Sequence, residues 1–180
     1  MEKFRNYDVS FSGLDLGSHS FEFEIAQSFF DLFEFEQDFD HPELRINLLL
    51  YKRNNFLEID IRLSGSVGLD CDITNEHYTQ ILEAHNEFII KFGEEFDDSD
   101  DEVWIIPFGE HSFNVAQLIY EMCLLAVPFK RIHPDVVNGK SRSEMIDLLE
   151  KYSPNEAEDS NNEETDPRWE ALKKLKSNNN

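Results

Sequence analysis

Alternation of apolar and polar residues dominates the first two thirds of this chain and commits it to a sheet. Tyr7, Val9 and Phe11 stand at every second position, as do Phe21, Phe23 and Ile25, and again Val67, Leu69 and Cys71. Side chains on a strand point alternately to its two faces, so this spacing builds one apolar face and leaves the other to water. Glu43 to Tyr51 and Phe56 to Leu63 are rich in Leu and Ile, and Lys52-Arg53-Asn54-Asn55 between them supplies turn chemistry, which predicts a β-hairpin. His85 to Phe92 and Val103 to Phe108 are further β-rich runs, and together these stretches predict an antiparallel sheet of several strands. Ser28 to Phe33 changes the spacing and predicts a short helical turn that packs aromatic side chains.

The period changes at about residue 112. Val115, Leu118, Ile119, Met122, Leu125 and Ala126 recur at helical spacing until Pro128 stops the pattern, predicting a helix from about Ser112 to Val127. Its polar positions Asn114, Gln117 and Glu121 form one narrow stripe, so most of its circumference is expected to lie against the sheet. Ser141-Arg142-Ser143-Glu144, followed by Met145, Ile146, Leu148 and Leu149, reads as a capped amphipathic helix. Residues 153–165 have no large apolar group to offset their ordering entropy and read as a flexible acidic linker. Beyond it, Asp166 as N-cap, Pro167 at the first helical position and the stripe Trp169, Leu172, Leu175 predict a short basic helix. The expected architecture is an α+β domain over 1–152, a linker over 153–165, and a basic terminal helix and tail over 166–180.

Charge limits what such a domain can bind. The 180 residues carry 16 basic and 38 acidic groups, a net −22. Residues 1–129 hold 7 basic and 27 acidic groups, or −20, whereas 168–180 hold 4 basic and 1 acidic, or +3. Like charge opposes a broad footprint on a phosphate backbone or an anionic membrane surface, and a basic partner suits the body better. Seven acids in the nine positions 94–102 read as an exposed loop. They lack the oxygen-ligand spacing and the Gly of an EF-hand.

Residue patterns for catalysis or metal binding are missing. The only cysteines, Cys71 and Cys123, provide neither a disulfide framework nor four zinc ligands, and a reducing, cytoplasmic location is expected. None of the six histidines forms an i, i+4 helical pair, and Cys71 with His77 is the nearest approach to a ligand pair, with a structural role the simpler reading. Gly139-Lys140-Ser141 resembles the end of a phosphate loop, but Pro134 stands where that motif needs Gly. A Gly-x-Ser-x-Gly elbow is absent. Glu121 is expected to be exposed or capped. The longest apolar stretch, Leu118 to Phe129, is interrupted by Glu121 and falls short of the ~20 residues of a membrane span. A secretory signal is not supported at the N-terminus, and neither a cofactor nor a small-molecule substrate is expected. Trp169 and Arg168 with the nearby lysines could stack on and neutralise RNA, or the same helix could dock on the acidic body.

Several stretches resemble one family, the large ribosomal RNA subunit accumulation proteins, or YceD family. They are the Gly65-to-Cys71 strand ending in Cys71-Asp72, the strand Ile89-Ile90-Lys91-Phe92-Gly93, the segment Ile119-Tyr120-Glu121-Met122-Cys123-Leu124-Leu125-Ala126-Val127-Pro128, and the terminal Asp166-Pro167-Arg168-Trp169-Glu170-Ala171-Leu172. Their order matches the family's and they span most of the chain from about residue 7 to 176. The resemblance implies a non-catalytic ribosome-biogenesis factor that supports accumulation of large-subunit rRNA by binding a ribosomal protein or precursor rRNA. The binding residues would be Asp166, Pro167, Arg168, Trp169, Lys173 and Lys174. Many relatives carry a cysteine cluster between the Leu-Ala-x-Pro segment and the final Asp-Pro-Arg, which would suit zinc. This chain has no cysteine there, only His133, and Thr74 where many relatives have a cysteine near Cys71; its Lys130-Arg131-Ile132-His133-Pro134 continuation resembles the zinc-free branch associated with Bacteroidetes-type bacteria. The alternatives are a small hydrolase or transferase with an unrecognised site, or a structural subunit of another complex.

Overall fold

A computed structural model describes residues 2–100, 102–138, 148, 151 and 152. The chain divides into two compact units, Met1–Ser141 and Arg142–Asn180. In the second, Leu148, Lys151 and Tyr152 are helical. The rest of the helix expected from Ser141, the 153–165 linker and the 166–176 helix lie outside the described residues.

The first unit is built on a five-stranded sheet in the order β2-β3-β4-β5-β6: β2 Gly17–Ile25, β3 Asp40–Lys52, β4 Phe56–Asp70, β5 His77–Gly93 and β6 Val103–Pro107. The alternation sets its register. Ile46 opposes Leu63 and Leu48 opposes Ile61 across β3 and β4, and Leu57 opposes Ile90 across β4 and β5, so one face carries a continuous layer of buried aliphatic side chains. The other face holds exposed ion pairs such as Arg45 with Glu22 at 3.5 Å and Arg53 with Glu58 at 2.9 Å, each worth about 0–1 kcal/mol.

A second, two-stranded sheet joins β1 Asp8–Ser10 to β7 Ser112–Asn114. Helices α1 Gln27–Phe30 and α2 Ala116–Ala126 cover the apolar face, α1 contacting β3 and α2 contacting β5. Aromatic side chains from several elements meet beneath them: Phe30 lies edge-on to Phe29 and Phe39, and Phe33 stacks on Tyr120 with ring centres 4.1 Å apart. These contacts make Ser28 to Phe33 the aromatic turn that its spacing predicts.

The fold is α+β, as expected, and two details differ from expectation. The sheet is mixed, because β6 runs parallel to β5, with Ile89 opposite Val103 and Gly93 opposite Pro107. The acidic connection 94–102 carries the chain back along β5. It is held by backbone bonds between Asp97 and Ile105 and by the Asp97 and Asp100 carboxylates, which accept from the N–H groups of Ser99 and Glu102.

The main helix starts at Ala116, not Ser112, because Ser112–Asn114 pairs with β1 and buries Phe113 opposite Val9. Asn114 then serves both elements: its Oδ1 accepts from Ala116 N–H while its Nδ2 donates to Phe4 O and Asp8 Oδ1. Most of the helix circumference is covered, as expected, with Ala116, Leu118, Ile119, Tyr120, Met122 and Cys123 buried. The exposed stripe of Gln117 and Glu121 continues into Leu124 and Leu125, which leaves apolar groups in water at the C-terminal end. Glu121 itself is exposed, as expected, and accepts a 2.6 Å bond from Gln117 Nε2.

Cys123 is fully buried on α2, and burial pushes its thiol up to about 12 from the ordinary 9.0. An unfolded chain releases this proton near pH 9 while the folded one holds it, so the stability contributed by the neutral thiol is complete below pH 9 and lost between 9 and 12. In Cys123→Ala, the fall in urea midpoint over that window should flatten relative to the unsubstituted protein.

Candidate functional site

The C-terminal end of α2 faces the segment 35–39, which leads from α1 to β3, across an open groove of about 860 Å³. Its floor is Phe39 and Tyr120, both buried. Its walls are apolar side chains left in water: Phe35 is 70% exposed, Leu125 86% and Phe129 98%. Glu36, Asp38 and Asp72 supply negative charge at the rim. Adjoining it, a polar cleft adds Asp40 and Asp70, with His77 Nδ1 3.0 Å from Asp70 Oδ1 and Nε2 3.5 Å from Asp40 Oδ1. Gly68 lies under these side chains, and a Cβ there would run into the Asp40 carboxylate and the His77 ring.

The strap after Pro128 is pinned rather than loose. Arg131 N–H donates to Asp72 Oδ2 at 2.8 Å, Asp72 N–H donates back to Arg131 O at 2.7 Å, and the Arg131 guanidinium bonds both Asp38 O and Asp38 Oδ2. His133 N–H reaches Cys71 Sγ at 3.3 Å, and His133 Nδ1 caps α3 Pro134–Val137 by accepting from Asp135 N–H. One strap thus joins the β4–β5 turn to the segment before β3 and fixes the position of Phe129. Asp72→Ala removes the strap's carboxylate acceptor, which is worth about 1 kcal/mol. Amide exchange at Arg131 should accelerate about five-fold, read by hydrogen–deuterium exchange.

Other clusters of chemically capable groups have local explanations. Burial pushes the Cys71 thiol up, but hydrogen bonds from the Thr74 hydroxyl and from the backbone N–H groups of His133, Thr74 and Ile73 outweigh it and leave the thiol below its ordinary value. These donors are a hydroxyl and amides, not a zinc ligand set, and His77 bonds carboxylates rather than Cys71. Among the described residues, one group of three potential ligands lies together: Asp60, His85 and Glu87, on the solvent face of the sheet. Arg62 already occupies both Asp60 oxygens at 3.0 Å, so these groups form a charge network across β4 and β5. No described helix is long and apolar enough to cross a membrane.

The family model described as large ribosomal RNA subunit accumulation protein YceD matches residues 59–176. The chain belongs to the YceD family. The match begins within β4 and runs past α2, so the YceD-like span includes Asp72, Leu125, Phe129 and Arg131 but not Phe35 or Asp38 on the opposite wall. The family's description ties this YceD chain to large-subunit ribosomal RNA. No curated protein and no solved structure matches it.

The sequence-predicted binding residues Asp166, Pro167, Arg168, Trp169, Lys173 and Lys174, like Gly139-Lys140-Ser141, lie outside the described residues. The groove was missed by sequence reasoning. Its available signal was the helical position of Leu124 and Leu125, three to four residues beyond Glu121 and therefore on the polar stripe.

Proposed function

We propose that this protein is a non-catalytic ribosome-biogenesis factor that supports accumulation of large-subunit rRNA by holding a basic ribosomal protein, with any contact to precursor rRNA made through residues 166–180. The observation that carries this reading is the −20 charge of residues 1–129 in a chain of the YceD family. A field of that sign attracts and orients a cationic protein and repels a phosphate backbone. The tail carries the opposite sign, so a three-part arrangement of acidic body, linker and basic helix separates the two tasks. Within that arrangement Arg168, Lys173 and Lys174 meet phosphates, Trp169 stacks on a base, and Asp166 and Pro167 start the helix that presents them. Binding alone suffices for this role: the groove is open, and Cys71 faces amide donors rather than a general base. The expected place of action is the cytoplasm, where ribosome precursors are found.

The test is a crosslinked pull-down of the full chain and of a chain ending before Asp166, read by mass spectrometry and RNA sequencing. The full chain is expected to recover large-subunit ribosomal proteins and precursor rRNA, and the truncated chain to lose the RNA while keeping the proteins. Recovery of neither class by the full chain would end this reading.

A further inference from the structure

We propose that the groove between residues 35–39 and the C-terminal end of α2 is a docking site for a basic amphipathic helix of a partner protein. Phe35, Leu125 and Phe129 stand 70%, 86% and 98% exposed around a floor of buried Phe39 and Tyr120. Large apolar groups gathered on one surface, rather than scattered singly, mark an interaction site. The strap that carries Phe129 is fixed at both Asp38 and Asp72, so the wall exists before a partner arrives and little order has to be imposed on it.

Charge identifies the occupant. Glu36 and Asp72 stand on the rim, and the one cation among the described residues lining the groove, Arg131, is already bonded to Asp38. Beyond the rim, Asp40 and Asp70 extend the same sign along the adjoining cleft. A second copy would bring another body of −20 against this one, and RNA or an anionic membrane would be repelled for the same reason. A helix with an apolar stripe flanked by Lys or Arg fits both the wall and the rim, the stripe inserting between Phe35, Leu125 and Phe129 while the cations meet Glu36 and Asp72. The inference deepens the binding reading above and rests on it for the partner being ribosomal.

The probe is a synthetic amphipathic helix of leucine, tryptophan and lysine, titrated into the full-length protein by calorimetry and NMR, beside a version with glutamate for lysine. The lysine peptide should bind and shift the signals of Leu125 and Phe129, and the glutamate peptide should not bind. Leu125→Ser with Phe129→Ser changes no charge and removes side chains that stand in water, so the melting temperature should hold while affinity falls about ten-fold or more. Equal affinity in the double variant overturns the proposal. So does a wild-type dimer that the substitutions dissociate, which would make a second copy the occupant, or a shift of the 166–176 signals in the variant without peptide, which would make this chain's own tail the occupant. The same variant in the pull-down separates the two readings. Groove-dependent peptide binding with no ribosomal material recovered by the wild type removes the ribosomal reading alone, whereas ribosomal proteins recovered equally by wild type and variant remove the groove alone.

Discussion

Phe30→Ala should lower the free energy of unfolding by about 3–5 kcal/mol, read from the urea transition of the full chain. Phe30 has no exposed surface, and its ring lies 5.2 Å from that of Phe29, 5.0 Å from Phe39 and 6.1 Å from Tyr120. Those neighbours belong to α1, to the segment before β3 and to α2, so the ring joins three pieces of chain that share few backbone bonds. Alanine would leave a cavity lined by rigid aromatic faces, which collapse poorly around missing volume. Because Phe39 also forms the floor of the groove, the variant should in addition bind the lysine peptide more weakly at temperatures where it is still folded. Phe35→Ala, at a wall position open to water, should cost less than about 1 kcal/mol and serves as the control.

Gly65→Val should destabilise by roughly 3 kcal/mol or more, through backbone strain and steric collision acting together. Gly65 sits in β4 at φ +147°, where L side chains are rarely found, and a Cβ would strike the Glu43 carbonyl oxygen and approach Leu44 Cα to 2.8 Å. The pairing of β3 with β4 is irregular between Asp40 and Glu43, and His41 adopts φ +44° there, so the chain turns sharply beside Gly65 and has no slack to take up the added atoms. Gly13→Ala is the comparison: its φ of +87° imposes strain, but nothing lies within 4 Å, and its cost should stay near 1 kcal/mol. Chemical denaturation of both variants separates the collision from the strain.

Much of this fold is legible in the sequence because one physical rule writes it. A half-buried strand must alternate, and Val67, Leu69 and Cys71, like Phe21, Phe23 and Ile25, fall where alternation puts them. The rule is silent on direction: a strand reads the same parallel or antiparallel, so the reversal of β6 depends on where a nine-residue acidic loop lands and leaves no trace in the apolar pattern. Helical spacing is similarly blind to a tertiary partner. Phe113 and Val115 fit the apolar stripe of a helix and also the inward face of a short strand, and Val9 on β1 decides between them. The groove was harder still, since Leu124, Leu125 and Phe129 look like core by composition. Their exposure follows from their place on the outward stripe of α2 and just beyond its end at Ala126, which only the packing of α2 on β5 reveals. The Asp166 to Lys174 site rests on sequence alone.

The order in which the strands follow one another also governs how the body assembles. From β2 to β5 every strand pairs with its successor in the chain, through α1 between β2 and β3 and through short reversals from β3 to β5, so each new rung is laid beside the last at small entropic cost. The two-stranded sheet is different in kind: Asp8 meets Asn114, and three residue pairs must hold a loop that contains the entire five-stranded sheet. That pairing gains little until the rest is in place, so the first residues of the chain act as a late clasp. A ribosome delivers Asp8 to Ser10 before their partners, and during synthesis they wait, unpaired, until Ser112 to Asn114, more than a hundred positions later, emerge.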